Sequence, residues 1–256
     1  MQIKTLQKVY NVPPFSAIKA FNYILHHELA DLDITIDSVN VDNHHLIVSF
    51  HGPDENFAYN YIVKHFGRII SASEFNEGDI VLGRLSDVGK VKFGFFVDIG
   101  LLIGNTTFEA LYPLYEARSQ LVNGLKVPLM SISRAFGLIS NLPLEFKIIE
   151  KKILKRKIRV RLAPSSLNWL HSSTQQKLEA VIVCGATRRM IKRALIATKH
   201  FEDIETIERL GLLEYRLICK RGTRATGIIP EIGGLLGNAL LGAQIPERVT
   251  DLRKRE

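Results

Sequence analysis

The sequence predicts an α+β multidomain protein in which a small central β-barrel lies between two small α+β domains. The first observation is a pair of apolar, β-prone runs over residues 79–99, which contain two interior glycines, Gly83 and Gly94. Glycine inside a strand marks the bulges and tight bends that small coiled barrels need. The second is that strand-like runs alternate with amphipathic helical patterns on both sides of this stretch. The third is size, because 256 residues with 46% hydrophobic content can bury two or three separate cores.

Residues 1–70 predict an N-terminal α+β domain with the element order βαββα. A strand over 2–10 precedes a helix that Ser16 can cap and that continues to about residue 30. Strands over 33–41 and 45–50 follow, and Pro53 opens a second helix that ends at Gly67. Residues 1–75 carry 5 Lys/Arg and 8 Asp/Glu. Because this balance is acidic, we expect an interaction or scaffolding domain here rather than an RNA-binding one.

Residues 76–165 predict the barrel. Gly78-Asp79, Gly83 and the run Phe93-Gly94-Phe95-Phe96-Val97 occur in an order and spacing that resemble the opening of an S1-type OB-fold RNA-binding domain. The resemblance continues more weakly through strands at 109–115, 144–150 and 158–162, with a basic turn at 151–157. It implies a five-stranded barrel that binds RNA. A helical insertion near 128–142, with a helix over 132–139, exceeds the usual connection of that family.

Two further points qualify what the resemblance implies. Many S1 domains carry a nucleic-acid-binding histidine in the third strand, where this chain has Pro113. That variant is similar to the S1 domains of archaeal RNA-processing factors, so the resemblance implies no histidine contact with RNA in this strand. The whole chain also resembles an archaeal protein family with a central S1-like domain, a resemblance that implies no particular activity.

Residues 177–256 predict a C-terminal α+β domain with the order βααββα, after a linker over 167–176. Its expected elements are a strand at 180–184, helices at 187–199 and 203–210, a hairpin formed by 213–220 and 225–229, and a helix that starts at Pro230.

The candidate nucleic-acid-binding residues of the barrel are two aromatic rings and a set of cations. A bulge at Gly94 would bring Phe93 and Phe96 to one face, where they could stack on bases; the alternative is that both rings pack in the core. Cations beside that face could follow a phosphate backbone; the alternative is a solvated turn. This set consists of Lys90, Lys92, Lys151, Lys152, Lys155, Arg156, Lys157, Arg159 and Arg161.

A second basic patch is expected in the C-terminal domain, from one helix face and one hairpin. Residues 76–165 and 166–256 carry net charges of +6 and +5, so the basic excess suits a polyanionic partner. A solvated helix face is the alternative interpretation. The patch comprises Arg188, Arg189, Lys192, Arg193, Lys220, Arg221 and Arg224.

No catalytic, metal or cofactor site is predicted. The neighbouring histidines at 26–27 and 44–45 point in different directions on their elements, and the chain has no Cys-x-x-Cys pair or phosphate-cradling loop. Cys184 and Cys219 lie in apolar runs and are expected to be reduced, which favours a cytoplasmic protein. The N-terminus predicts a strand rather than a signal peptide, and the apolar run over 227–245 is a poor membrane span.

The function expected from these observations is that of a non-enzymatic RNA-binding protein, without a cofactor. Ribosomal or other structured RNA is the expected partner, with subunits of the ribosome or of an RNA-processing complex as further candidates and no membrane partner. The alternative is a protein–protein interaction module whose barrel docks a partner subunit. A nuclease or RNA-modifying enzyme would need a carboxylate or histidine cluster that the sequence does not present. The oligomeric state is not determined by these patterns.

Overall fold

The computed structural model describes residues 1–103, 106–153 and 157–254, and they form three bodies that contact one another. The expected fold class is confirmed: a closed five-stranded barrel lies between two antiparallel sheets with helices packed on them. Within the described residues no helix is both long and apolar enough to cross a membrane.

The N-terminal body has the element order βαββα. Its elements are β1 (Gln2–Lys8), α1 (Pro14–Glu28), β2 (Thr35–Asp42), β3 (His45–His51) and α2 (Glu55–Phe66), and its antiparallel sheet has the order β1-β3-β2. The expected cap at Ser16 is wrong. Helix α1 begins at Pro14 after Pro13, because proline has the φ of a helical first residue and its missing N–H has no partner there in any case. The core of this body includes Phe21 and Phe66, whose rings meet edge to face at 4.9 Å.

The barrel consists of β5 to β9 and carries one added parallel strand, β4 (Ile70–Ser71). Its strands are β5 (Ile80–Ser86), β6 (Gly94–Ile103), β7 (Thr106–Pro113), β8 (Pro143–Lys152) and β9 (Lys157–Leu162), and the β6–β7 pairing closes it. Phe95, Tyr112 and Phe146 point inward and are fully buried. Two helices, α3 (Leu114–Leu121) and α4 (Leu129–Phe136), connect β7 to β8, whereas the sequence predicted only the second, three residues further along.

The predicted bulge at Gly94 is wrong. Gly94, Phe95 and Phe96 pair in regular register with Pro113, Tyr112 and Leu111, and the register shift of β6 lies between Asp98 and Leu101. Gly94 is required for another reason, since a Cβ there would lie 2.5 Å from the carbonyl oxygen of Tyr112. Gly83 faces inward, and its Cβ would lie 2.6 Å from Val97. Both glycines therefore allow close packing of the barrel rather than a bulge.

The C-terminal body departs most from the prediction. The described elements are α5 (Pro164–Gln175), β10 (Ala180–Cys184), α6 (Arg188–Ala197), β11 (Ile204–Arg209), β12 (Glu214–Cys219), α7 (Ala225–Gly233), β13 (Leu240–Gln244) and α8 (Pro246–Arg253). The antiparallel sheet has the order β11-β12-β10-β13. The predicted linker at 167–176 is therefore helix α5, the predicted helix at 203–210 is mostly strand, and the predicted strand at 225–229 is helix. The last strand, β13, lies where a helix was expected.

Tertiary contacts explain these differences. Strand β11 pairs with β12 along its length, which favours its β-branched residues in an extended conformation. Helix α7 starts where the backbone N–H of Ala225 donates to the Glu179 carboxylate at 2.7 Å, a cap supplied from a distant part of the chain. Helix α5 buries Leu170, and the hydroxyl of its Ser166 accepts from the N–H of Glu145 in β8 at 2.7 Å.

The three bodies meet at a buried polar cluster on the outer side of β5. Arg84 forms an ion pair with Glu214 of β12, and both side chains are almost fully buried. The hydroxyl of Tyr10, from the N-terminal body, donates to Glu214 at 2.5 Å. A second ion pair joins Lys8 of β1 to Asp98 of β6. Burial alone would raise the pKa of Asp98, but the Lys8 ammonium lowers it below its ordinary value. One residue from each body therefore contributes to the joint.

Both cysteines are free and buried, as expected. Cys184 lies opposite Glu214, so Cys219 is five residues further along β12, roughly 16 Å away at 3.3 Å per residue. That separation excludes a disulfide between them. Burial raises the pKa of both thiols, that of Cys219 to about 12. We expect no reaction with Ellman's reagent in the native protein at pH 8 and two reactive thiols in denaturant. A fast-reacting native thiol would show that this sheet opens.

Candidate nucleic-acid interface

The outer face of the barrel brings an aromatic ring and an arginine into one row across three strands. Phe96 of β6 lies opposite Leu111 of β7, and Leu111 lies opposite Arg159 of β9. Directly opposed residues point to the same side of a sheet, and Arg161 follows on the same side because side chains alternate along a strand. The neighbouring residues Val97, Val160 and Leu162 are buried inside the barrel. Ring and charge therefore share a face.

Phe93 and Phe96 lie outside the barrel core. Phe93 precedes β6 and is 57% exposed, and Phe96 is half-buried. Their ring centroids are 6.1 Å apart at an interplanar angle of 89°, an edge-to-face pair at the barrel surface. The core position between them belongs to Phe95, which is 1% exposed and stacks on Tyr112. The two rings come together because Phe93 lies beyond the strand end, where alternation no longer applies.

The predicted cations divide between the two ends of this row. Gly94 of β6 pairs with Pro113 of β7, and Leu111 of β7 pairs with Arg159 of the parallel strand β9. Phe93 and Arg161 therefore lie at the end of the row near Pro113, and Lys157 lies at the opposite end. Lys90 and Lys92 are exposed in the connection between β5 and β6, at the Phe93 end. The Lys151 side chain contacts Phe75 instead of the row. Its ammonium lies 4.5 Å from the centre of the Phe75 ring and donates to the Phe75 carbonyl. Lys155 and Arg156 lie outside the described residues.

Carboxylates neutralise part of this charge. Glu150 pairs with three cations: Lys152 at 2.7 Å, Lys157 at 3.0 Å and Arg159 at 3.3 Å. Hydrogen bonds from Lys152 and Lys157 lower the pKa of Glu150 to about 2. Glu116 holds Arg161 at 3.3 Å, and Asp87 holds Lys90 at 2.7 Å. Such exposed ion pairs contribute little stability, so a phosphate can compete with them.

Much of the remaining outer face is covered by the chain itself. Arg84 of β5 and Asp98 of β6 lie opposite each other on that face, and they pair with Glu214 and Lys8 from the flanking bodies. OB-folds bind oligonucleotides on the face of their second and third strands and on the adjoining loops. In this chain the open part of that face carries Phe93 and Phe96, and Arg161 lies beside it on β9. Pro113, which is buried beside Gly94, adds no polar side chain there.

The second basic patch divides into two separate surfaces. Its four helical members line a groove of about 910 Å³ between α6 and α1: Arg188, Arg189, Lys192 and Arg193. The other three line a different cleft, of about 830 Å³, beside α8: Lys220, Arg221 and Arg224. Carboxylates of Glu179, Glu247 and Asp251 line that cleft too, so its charge is mixed.

The groove between α1 and α6 contains aromatic residues that the sequence reasoning missed. Phe15 and Tyr23 of α1 are 74% and 73% exposed, and both line it. Their spacing of eight residues, with Lys19 midway, places all three on one helical face. That pattern was available in the sequence. The acidic balance of residues 1–75 argued against nucleic-acid binding by this body.

The carboxylates of Asp79 and Asp98 have structural roles. Asp79 accepts the backbone N–H of Asn76 at 2.7 Å, and Asp98 accepts that of Gly100 at 2.9 Å beside Lys8. Across the described parts of the chain, no group of three or more His, Cys, Asp or Glu residues is placed to hold a metal ion.

This chain belongs to the DUF2110 family. Three domain models of that family match it in order, the DUF2110 N-terminal domain over residues 2–72, the DUF2110 central domain over 75–173 and the DUF2110 C-terminal domain over 178–243. The central match contains the barrel with α3, α4 and most of α5. No curated protein matches the chain.

Three solved structures have low similarity to the chain. An uncharacterized protein from Methanocaldococcus jannaschii is 15% identical, with a TM-score of 0.24, over 36% of this chain and 96% of that one. A chain of an a/eIF2alpha-aDim2p-rRNA complex from Pyrococcus horikoshii OT3 is 13% identical, with a TM-score of 0.27, over 50% and 66%. The intact alpha subunit of aIF2 from Pyrococcus abyssi is 11% identical, with a TM-score of 0.25, over 71% and 98%. TM-scores this low carry no conclusion about fold or function.

Proposed function

We propose that this protein is a non-enzymatic RNA-binding protein whose barrel is S1-like and binds single-stranded segments of ribosomal or other structured RNA. The observation that carries the proposal is the row on the outer barrel face, where the Phe93–Phe96 pair lies beside Arg159 and Arg161. Stacking of bases on aromatic rings and pairing of phosphates with cations are the two interactions that single-stranded sites combine. Subunits of the ribosome or of an RNA-processing machine are the further partners that such a role implies.

The size of the open face sets the expected mode of binding. The flanking bodies cover the part of the outer face around Arg84 and Asp98, so we expect a short contact of a few nucleotides rather than a long track. The ion pairs of Glu150 and Glu116 must be exchanged for phosphate contacts, which weakens binding and makes it sensitive to salt. Moderate affinity for unpaired RNA is therefore the expected behaviour.

A protein-docking barrel is the second candidate, and one observation favours it. The barrel already uses the part of its outer face around Arg84 and Asp98 to bind its own flanking bodies. The same kind of surface could bind a partner subunit through Phe93 and Phe96. That function predicts no dependence on RNA, so the two candidates separate in a binding experiment.

The test is a salt titration with a fluorescein-labelled, mixed-sequence RNA 20-mer, followed by anisotropy. We expect the affinity of the native protein to fall with salt, with a slope of about −0.7 for each phosphate that a cation binds. The double variant Arg159→Ala with Arg161→Ala should bind more weakly, and its slope should be shallower by about 0.7 for each phosphate left without a cation. A flat salt dependence of the native protein, or no binding at low salt, would favour protein docking.

Two single variants serve as controls. Glu150→Gln releases three cations from their carboxylate and should strengthen binding, the opposite direction to the arginine variants. Lys64→Ala removes an exposed cation on α2, away from the barrel row, and should leave the slope unchanged. If Glu150→Gln and Lys64→Ala behave alike, the cations of β8 and β9 do not contact RNA.

A further inference from the structure

Helix α1 presents an aromatic stripe to solvent, on the side away from its own core. Ala17, Phe21 and Leu25 pack inward, whereas Phe15 and Tyr23 are 74% and 73% exposed. Eight residues separate the two rings, about 12 Å along the helix axis at 1.5 Å per residue. His27 extends the stripe by one turn, with its ring 6.4 Å from that of Tyr23 at an interplanar angle of 27°. The fold of the N-terminal body does not require these rings, because they bury little area in it.

Helix α6 faces this stripe with a basic side. Arg189, Lys192, Arg193 and Ile196 lie at helical spacing on one face and line the same groove. Ile191, Ala194 and Leu195 form the buried side, so the cations are not needed for packing. Within residues 1–103, 106–153 and 157–254, none of the four α6 cations forms an ion pair, and neither does Lys19. Their charge therefore remains available to a ligand, unlike that of Arg159 and Arg161.

The charge of the groove is mostly positive. Its lining includes six cations and a single carboxylate, Glu28. Glu28 is already engaged by Arg209 at 2.7 Å and by the Tyr61 hydroxyl at 2.7 Å, and the Tyr61 hydrogen bond lowers its pKa below the ordinary value. A polyanion is the occupant that such a groove favours.

We propose that the groove between α1 and α6 is a second binding site for single-stranded nucleic acid. In this arrangement the bases stack on Phe15 and Tyr23, and the phosphates pair with the cations of α6. An acidic peptide would satisfy the charges and leave both exposed rings without a partner. The bases of a duplex are stacked on one another, so they could not stack on Phe15 and Tyr23. A single strand is the polyanion that uses rings and charges together.

This site does not depend on the barrel face, because it is formed by the N-terminal and C-terminal bodies alone. Its formation requires that the two bodies be docked against each other. Asn11 helps to fix that docking, since its side-chain amide donates to the carbonyl oxygens of Gly185 at 2.7 Å and Leu236 at 3.2 Å. RNA binding in the groove would therefore favour the docked arrangement.

The test uses a 5′-fluorescein oligouridine 12-mer at low salt. In a protein that already carries Phe93→Ala and Phe96→Ala, the double variant Phe15→Ala with Tyr23→Ala should lose affinity on the order of 5- to 150-fold for each ring that stacks on a base. The matched control is Phe57→Ala, which removes a ring that is 69% exposed on α2 of the same body. Removing Arg189, Lys192 and Arg193 together should weaken binding and reduce the salt slope by about 0.7 for each phosphate that these cations bind. Melting temperatures should stay near that of the native protein for all of these surface variants.

Crosslinking separates this site from the barrel face. With 4-thiouridine in the 12-mer, peptides that contain Phe15 or Tyr23 should crosslink, and they should still do so in the double variant Phe93→Ala with Phe96→Ala. If the barrel proposal fails and this one holds, only the α1 crosslinks remain. If the α1 double variant binds as tightly as Phe57→Ala, both in the protein that carries Phe93→Ala and Phe96→Ala, the proposal is wrong. Tighter binding of a labelled 12-residue oligoglutamate than of oligouridine would overturn it in favour of an acidic protein partner.

Discussion

Replacing Arg84 by methionine is expected to lower the free energy of unfolding by about 3–5 kcal/mol, the usual effect of removing one partner of a buried ion pair. Glu214 is 0% exposed and would be left as an uncompensated buried carboxylate. Tyr10 and the backbone N–H of Leu213 would still donate to it, at 2.5 Å and 3.2 Å, but neither carries a positive charge. The experiment is urea unfolding followed by the fluorescence of Trp169, the single tryptophan. Its side chain packs against the barrel core cluster, and its indole N–H donates to Glu208 of β11 at 3.2 Å, so it reports on the joint between barrel and C-terminal body.

The double variant Arg84→Met with Glu214→Leu should be more stable than either single variant, because it removes both charges from the buried site. Arg84 also has two nitrogens, Nε and one terminal amino group, with no hydrogen-bond partner among the described residues. An apolar pair of similar size contains no buried hydrogen-bond donor that lacks an acceptor. Arg161→Met, at a half-buried barrel residue paired with Glu116, is the control and should change stability by less than about 1 kcal/mol. A decrease of that small size for Arg84→Met as well would show that water reaches the joint.

The barrel could be predicted because its signal is local. Glycine at 83 and 94 and the aromatic run between 93 and 97 lie within a few residues of each other, and each constrains strand packing directly. The partners of those residues could not be predicted. Arg84 pairs with a residue 130 positions away, and nothing around Arg84 marks it as a buried cation that joins separate bodies.

The errors in the C-terminal body have the same origin. The carboxylate of Glu179 caps α7 from 46 residues away, so the residues around Ala225 alone contain no helix start signal. Strand β11 contains charged residues at helical spacing, and its pairing with β12 outweighs that preference. Local propensity is a weak guide wherever the decisive contact is distant in sequence.

Contacts between residues distant in sequence also limited the prediction of the candidate sites. Phe93 and Phe96 were singled out correctly as surface rings, for a reason that proved wrong, since the strand end rather than a bulge brings them together. Phe15 and Tyr23 were missed, although their helical spacing was visible in the sequence. They form a candidate binding site only together with the basic face of α6, which lies across the groove. A surface formed by two domains has no signature in either one alone.

Phe93→Ala is expected to weaken RNA binding by about 1–3 kcal/mol while leaving the free energy of unfolding nearly unchanged. The ring is 57% exposed, so its removal leaves no buried cavity. Phe96→Ala should weaken binding by a similar amount and also lower stability somewhat, because that ring is half-buried against the outer face of the barrel. Neither change alters the number of bound phosphates, so the salt slope should stay the same. Affinity is measured with the RNA 20-mer and stability by urea unfolding.

Phe95→Ala is the matched control, because it removes the same ring from the adjacent, inward-facing position. Phe95 is 1% exposed and stacks on Tyr112 at 5.9 Å, so its removal should lower stability by about 3–5 kcal/mol through a core cavity. The three neighbouring phenylalanines should then differ. Phe93→Ala should weaken binding alone, Phe96→Ala should weaken binding and partly destabilise the fold, and Phe95→Ala should destabilise the fold without a specific binding defect. Unchanged affinity in both Phe93→Ala and Phe96→Ala would exclude stacking at the barrel. Any RNA binding that persisted would then have to take place elsewhere. Loss of that binding in the double variant Phe15→Ala with Tyr23→Ala would locate it in the groove between α1 and α6.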